Sequence, residues 1–145
     1  MDPREFLTLA QQLSQAATEA AWRSALSRAY YAAFHVARKL LEDCGFGVPR
    51  ADRAHAYLWL RLSNCSDIGV QQAGRDLNDL RRHRNAADYD LTRPMRSGTA
   101  RIQQQVAARI IRALESAALE PTRSTIIAAM KIYERDVLHD VTWHP

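Results

Sequence analysis

Two stretches of this chain concentrate side chains able to hold a phosphate or move a proton. Arg28, Tyr31, His35 and Arg38 follow at i, i+3, i+7 and i+10, which is one stripe along a helix. The second stretch is Arg81-Arg82-His83-Arg84-Asn85-Ala86-Ala87-Asp88-Tyr89-Asp90. Guanidinium forks bind phosphate oxygens bidentately, and Asn85 and Tyr89 have the polarity to position a ribose or a base. Each stretch also has a plain structural reading. Tyr31 and His35 could pack against a neighbouring helix or a partner subunit. Arg81, Arg82 and Arg84 suit the negative end of a helix, where Asn85 and Asp88 also fit. Arg84 and Asp88, at i and i+4, are spaced to pair on the helix surface.

Other chemistries lack their residues. No GxGxxG or GxxxxGK[ST] loop is present to cradle a phosphate, and no HExxH, CxxC or GxSxG motif occurs. Metal-assisted and triad hydrolysis therefore have no support, and no metal or cofactor is expected. Any chemistry must come from Arg, His, Tyr, Asp and Asn on helix faces.

The elements that would carry them are helical throughout. There are 24 Ala against 5 Gly and 5 Pro among 145 residues, a composition rich in the best helix former. Apolar positions recur at helical spacing. They predict helices over about 3–16, 18–43, 51–62, 68–87, 99–119 and 122–138. Asp2 is placed to cap the first, and Pro3 fits its first turn. Val70, Ala73, Leu77 and Leu80 face inward on the fourth helix, and Ile102, Val106, Ile110 and Leu114 on the fifth. Loops are expected at 45–50, 63–67 and 90–98, and Val141–Pro145 reads as a frayed tail. No strand alternation, repeat or long linker appears. The expected architecture is all-α, a single antiparallel bundle of five to six helices. The bundle proper covers residues 1–120, with 121–145 as a C-terminal helical extension of the same domain.

Composition narrows the setting. A 47% hydrophobic, 25% charged chain is globular. Cys44 and Cys65 are too few for a disulfide framework or a structural zinc site and fit free thiols in a reducing cytoplasm. No secretory signal or membrane span is expected. The net charge of +4 is uneven. Residues 75–112 carry nine basic and four acidic residues, a net of +5, whereas residues 113–145 net −2. A basic centre attracts phosphate; a solvated face of an Arg-rich protein would look the same.

Taken together, Ser27–Leu41 (SRAYYAAFHVARKLL) and Leu80–Asp90 (LRRHRNAADYD) resemble the two motifs of a prokaryotic branch of the HEPN family (higher eukaryotes and prokaryotes nucleotide-binding), "AYYAxFHAAxxLL" and "RNxADYD". The interval between them also fits, and the resemblance covers about residues 5–118. It implies a helical bundle that forms a homodimer, with the second motif near the dimer groove. Many HEPN proteins are metal-independent endoribonucleases. Several are toxins silenced by a minimal nucleotidyltransferase, and others serve phage defence or its effectors.

The nuclease pattern of that family is an Arg, a polar residue, then a His after four to six residues. Arg84 and Asn85 match its start, but the window for His holds Tyr89, Asp90 and Leu91. Arg28…His35 and Arg50…His55 have a suitable interval, but with 18 Arg and 5 His about two such pairs arise by chance. The loss matters because metal-free RNA cleavage requires a base for the 2′-hydroxyl, an acid for the leaving 5′-oxygen and a cation for the phosphorane-like charge. An Arg supplies the cation but shuttles protons poorly. A tyrosine hydroxyl titrates near about 10 and an imidazole near about 6.5. If the two motifs face each other, His35 is the better substitute than His83. The catalytic set expected on this reading is Arg84, Asn85, Asp88, Tyr89 and His35, with Arg28, Tyr31, Arg81, Arg82 and His83 binding RNA or nucleotide. The alternative is a non-catalytic module that binds nucleotide, RNA, or a nucleotidyltransferase or effector partner.

Overall fold

Ala25, Ala29, Ala32, Ala33 and Ala37 all lie on one long helix and are wholly buried. Small side chains there let four other helices close on it, and that helix is the axis of the molecule. The computed structural model describes residues 1–145. It contains α1 (Arg4–Ser14), the axial α2 (Glu19–Asp43), α3 (Arg53–Ser63), α4 (Ile68–Tyr89), α5 (Ser97–Ala117) and α6 (Thr122–Tyr133), the last running into a π-helical turn, Glu134–Leu138. There is no strand, and the expected all-α bundle is what forms. α2 packs against α1, α3, α4 and α5. Leu26, Leu41, Leu58, Leu62, Leu77, Leu80, Ile110 and Leu114 fill the layers around it.

Polar side chains start the helices by accepting otherwise unpaired backbone N–H groups. Asp2 Oδ1 accepts from Arg4 N at 2.9 Å. Thr18 Oγ1 accepts from Ala21 N at 3.2 Å, Asp67 Oδ2 from Val70 N at 3.0 Å, and Glu120 Oε1 from Ser124 N at 2.7 Å. Gly45, at φ 99°, ends the α2 segment in the left-handed conformation that glycine tolerates.

One contact fixes the register of α3 on α4. A Cβ on Gly74 would lie 2.5 Å from Ser63 N and 2.9 Å from Leu62 C, so the two backbones touch there. Locked at that end, the pair runs antiparallel, and His55 and Trp59 of α3 come level with Arg81 and Arg84 of α4.

Two expectations fail. Ile102 does not face inward but is 58% exposed. The C-terminal segment is not frayed. His139, at φ 51°, turns the chain back after the π-turn, and the segment docks on the loop after α2. His144 N donates to Gly45 O at 3.0 Å and Gly47 N to Thr142 O at 3.3 Å. Trp143 Nε1 donates to Cys44 O at 3.0 Å, and the Lys131 ammonium sits 3.6 Å from the Trp143 ring centroid. The anchor is Glu134, wholly buried. Its carboxylate accepts from Arg61 Nε at 2.8 Å, Thr142 N at 2.9 Å, Thr142 Oγ1 at 2.5 Å and Trp143 N at 3.1 Å. Burial works to raise the Glu134 pKa, but the hydrogen bonds from Thr142 and Arg61 outweigh it and hold the carboxyl below its ordinary value. Both cysteines are free and buried. No helix is long and apolar enough to cross a membrane.

Candidate functional site

The second sequence stretch ends α4, and its backbone is held by a residue far away in sequence. Arg23 of α2 reaches over the end of α4, where the last carbonyls of a helix have no partner of their own. Its Nη1 donates to Ala87 O at 2.9 Å and to Asp90 O at 3.1 Å. Its Nη2 donates to Arg93 O and to Glu19 Oε1 at 2.9 Å. Glu19 in turn accepts from Met95 N at 3.0 Å. The positive charge at the negative end of α4 is thus supplied by Arg23, and the run Arg81–Arg84 is left for other work.

Between α3 and α4, over α2, lies an open cleft of about 440 Å³ lined by Tyr31, Asp52, His55, Ala56, Trp59, Arg81, Arg84, Asn85 and Tyr89. Arg84 is its most unusual member. The expected surface pair with Asp88 forms at 3.5 Å, but Arg84 itself is only 8% exposed. Its guanidinium lies against aromatic faces, 5.4 Å from the Tyr30 ring centroid and 5.2 Å from that of Tyr31. Its Nε is buried with no hydrogen-bond partner. Such a donor costs roughly 1–3 kcal/mol when left unpaired, more for a charged group. A second buried, unpartnered donor, Trp59 Nε1, belongs to another residue lining this cleft. Asp88 is held from behind by Ser27 Oγ, which donates to Asp88 Oδ2 at 3.2 Å. Arg81 is steadied by Asn78, whose Oδ1 accepts from its Nε and Nη2 at 3.3 and 3.0 Å.

His55 stands opposite. The Tyr30 hydroxyl lies 2.5 Å from His55 Nδ1, and the ring packs on Phe34 at a centroid separation of 4.9 Å. Burial first, then the Arg84 charge, keep the His55 pKa below its ordinary value; Asp52 opposes this and Arg81 adds to it. Burial pushes the Tyr30 hydroxyl well above its ordinary value, so Tyr30 keeps its proton, and its hydroxyl is able either to donate to Nδ1 or to accept from it.

The residues singled out in the sequence divide into three groups. Tyr31, Arg81, Arg84, Asn85 and Tyr89 meet in the cleft, with Asp88 at its edge. Arg28 and His35 turn toward α1. The Arg28 guanidinium lies 5.1 Å from the Phe6 ring centroid, and His35 stacks on the same ring at 6.0 Å. His35 lines a separate depression of about 470 Å³ with Phe6, Arg38, Lys39, Glu42 and Asp43, where two cations face two carboxylates. Burial, then Arg38 and Arg28, lower its pKa. Arg82 and His83 are exposed on the outer side of α4. Arg82 lies 3.9 Å from Asp79, and His83 lies beside Arg23 and Arg93. His55 and Trp59 were not singled out in the sequence. Only the packing of α3 on α4 brings them to Arg84, and no spacing within the chain reports that. No cluster of three or more His, Cys, Asp or Glu is placed to hold a metal ion.

What the cleft can do follows from its groups. It offers cations for an anion, flat aromatic faces for a ring, and one imidazole, in a recess open to solvent. No curated protein and no solved structure matches the chain. The HEPN domain model matches residues 4–117, which span α1 through α5 and include every residue of the cleft, so the chain belongs to the HEPN domain family.

Proposed function

We propose that the α3–α4 cleft binds the phosphodiester backbone of RNA and that the protein is a metal-independent endoribonuclease acting as a homodimer. The observation that carries this reading is the Arg84 guanidinium, which lines the cleft against the Tyr30 and Tyr31 rings with its nearest carboxylate at 3.5 Å. A phosphate oxygen in the cleft gives the Arg84 guanidinium a charged acceptor, and Arg84 then stabilises the charge that builds on phosphorus during in-line attack. Arg81 adds a second cation. Asn85 lies one residue along α4 to contact ribose or base, and Tyr31 and Tyr89 offer ring faces for stacking. Asp88, itself held by Ser27, positions Arg84.

Support for a homodimer comes from Tyr89, which lines the cleft, and Leu91 two residues on, 77% and 72% exposed. Two copies would also bring together two basic 75–112 segments. A minimal nucleotidyltransferase, or an effector in a toxin–antitoxin or phage-defence setting, is the kind of partner such a dimer would serve.

A second reading, a non-catalytic module that binds RNA or nucleotide, is favoured by one observation. The window that carries His in the family's nuclease pattern holds Tyr89, Asp90 and Leu91, and none of them is His. End-labelled RNA incubated in EDTA with wild type and with Arg84→Gln separates the two. The cleavage reading predicts fragments ending in 2′,3′-cyclic phosphate from wild type and at least about a hundredfold fewer from the variant. Binding by wild type without cleavage supports the module instead.

A further inference from the structure

The proposed reaction needs a proton for the leaving 5′-oxygen. We propose that His55, brought from α3 to face Arg84 across the cleft, is the general acid of this site, loaded with its proton by the substrate; the inference rests on the cleavage reading above. His55 is fixed as an acid must be. Its Nδ1 is committed to the Tyr30 hydroxyl at 2.5 Å, and Tyr30 is 1% exposed, behind the cleft wall. The nitrogen left to face the cleft is Nε2, and His55 lines the cleft together with Arg84 and Asn85.

The charged and titratable groups around it explain the loading. Tyr30 and Tyr31 face it from α2, Arg81 and Arg84 from α4, and Asp52 from the turn before α3. In the empty cleft burial and then Arg84 favour the neutral ring. A phosphodiester seated on Arg84 places negative charge between the two cationic partners and removes much of that penalty. The imidazolium that results donates from Nδ1 to the Tyr30 oxygen and presents Nε2–H to the substrate. In the step itself the 2′-oxygen bonds to phosphorus and its proton passes to water. The P–O5′ bond breaks, its electron pair leaves on the 5′-oxygen, and that oxygen takes the proton from Nε2. The products are a 2′,3′-cyclic phosphate and a 5′-hydroxyl, and solvent reprotonates His55. No metal, oxidant or reductant enters.

The test uses His55→Gln and two RNA substrates, one ordinary and one with sulfur replacing the bridging 5′-oxygen, a leaving group that needs no acid. Ordinary RNA is expected to be cut about 10²- to 10⁴-fold more slowly by His55→Gln. The sulfur-bridged RNA is expected to be cut by the variant at the wild-type rate. Independently, the NMR titration midpoint of His55 in wild type should rise on adding 2′-O-methyl RNA, which binds but cannot be cleaved. Equal cleavage of ordinary RNA by both proteins, equal loss on both substrates, or a midpoint that RNA does not move overturns the acid role. A wild type that leaves all RNA intact instead overturns the cleavage reading, and the acid role with it.

Discussion

Two arginines are buried in this molecule against aromatic rings, each with one unpartnered nitrogen, and they differ in the carboxylate each one meets. Arg61 is 2% exposed and donates through Nε to the wholly buried Glu134 at 2.8 Å. Its guanidinium lies 3.4 Å from the Tyr57 ring centroid. Arg84 is 8% exposed, with its nearest carboxylate at 3.5 Å and its Nε unpaired. A buried cation matched to a buried anion holds a fold together, here by fastening the C-terminal segment to α3. A buried cation whose nearest carboxylate stands off at 3.5 Å, as at Arg84, has less of its charge matched within the protein. The comparison separates structural charge from charge available to a ligand within one small bundle.

The largest way to sharpen it is to break the structural pair. Glu134→Ala leaves Arg61 charged and alone, and should cost about 3–5 kcal/mol of stability. Urea unfolding measures this, and the near-ultraviolet signal of Trp143 should be lost with the docked segment. Arg84→Gln is the converse. It removes a charge matched only by Asp88 at 3.5 Å, so the urea midpoint should stay close to wild type while cleavage collapses. Equal stability losses in the two variants would erase the distinction.

Next in size is Arg23→Ala, which uncaps α4 and frees the 90–96 loop. A charged hydrogen-bonding group of this kind contributes about 1.5–3 kcal/mol, and amide exchange should quicken in residues 86–96. Gly74→Ala tests the register of the cleft. Its Cβ would meet the Ser63 backbone at 2.5 Å, so α3 must shift and carry His55 away from Arg84. RNA binding should weaken even where the variant remains folded.

The smallest effects are those of pH, and they too separate the regions. Glu134 has a lowered pKa in the fold, so its stabilisation is complete above the unfolded value near about 4.3 and fades as pH falls through the folded value. His55 and His35 are also lowered. The unfolded chain therefore binds their protons more readily, and stability should climb as pH rises toward about 6.5. His55→Gln should flatten that rise without altering the acid limb that belongs to Glu134.

The sequence made the bundle legible because its signals are local: apolar positions at helical spacing, Ala-rich faces, and Gly and Pro between them. The parts that escaped depend on distant partners. Arg84 and Asp88 read as a surface pair because spacing along one helix says nothing of the aromatic wall that α2 raises against it. Arg50…His55 reads as a coincidence; His55 comes to the same cleft as Arg84 only through Gly74, which sets α3 against α4. Val141–Pro145 has no periodicity and reads as frayed, yet Glu134, Gly45 and Cys44 receive it. Arg23 reads as one of many basic residues on a long helix, and its role appears only where the end of α4 comes to meet it.

The central claim is that the Arg84 guanidinium is held free for a phosphate. The most direct measurement is the affinity of fluorescent single-stranded 2′-O-methyl RNA for wild type and Arg84→Gln across a range of salt concentrations. The account predicts that the variant binds at least about tenfold more weakly, since a hydrogen bond to a charged group contributes about 1.5–3 kcal/mol. Its slope of log affinity against log salt should be shallower by about 0.7, the share of one phosphate on a single strand. Equal affinities with equal slopes would contradict it.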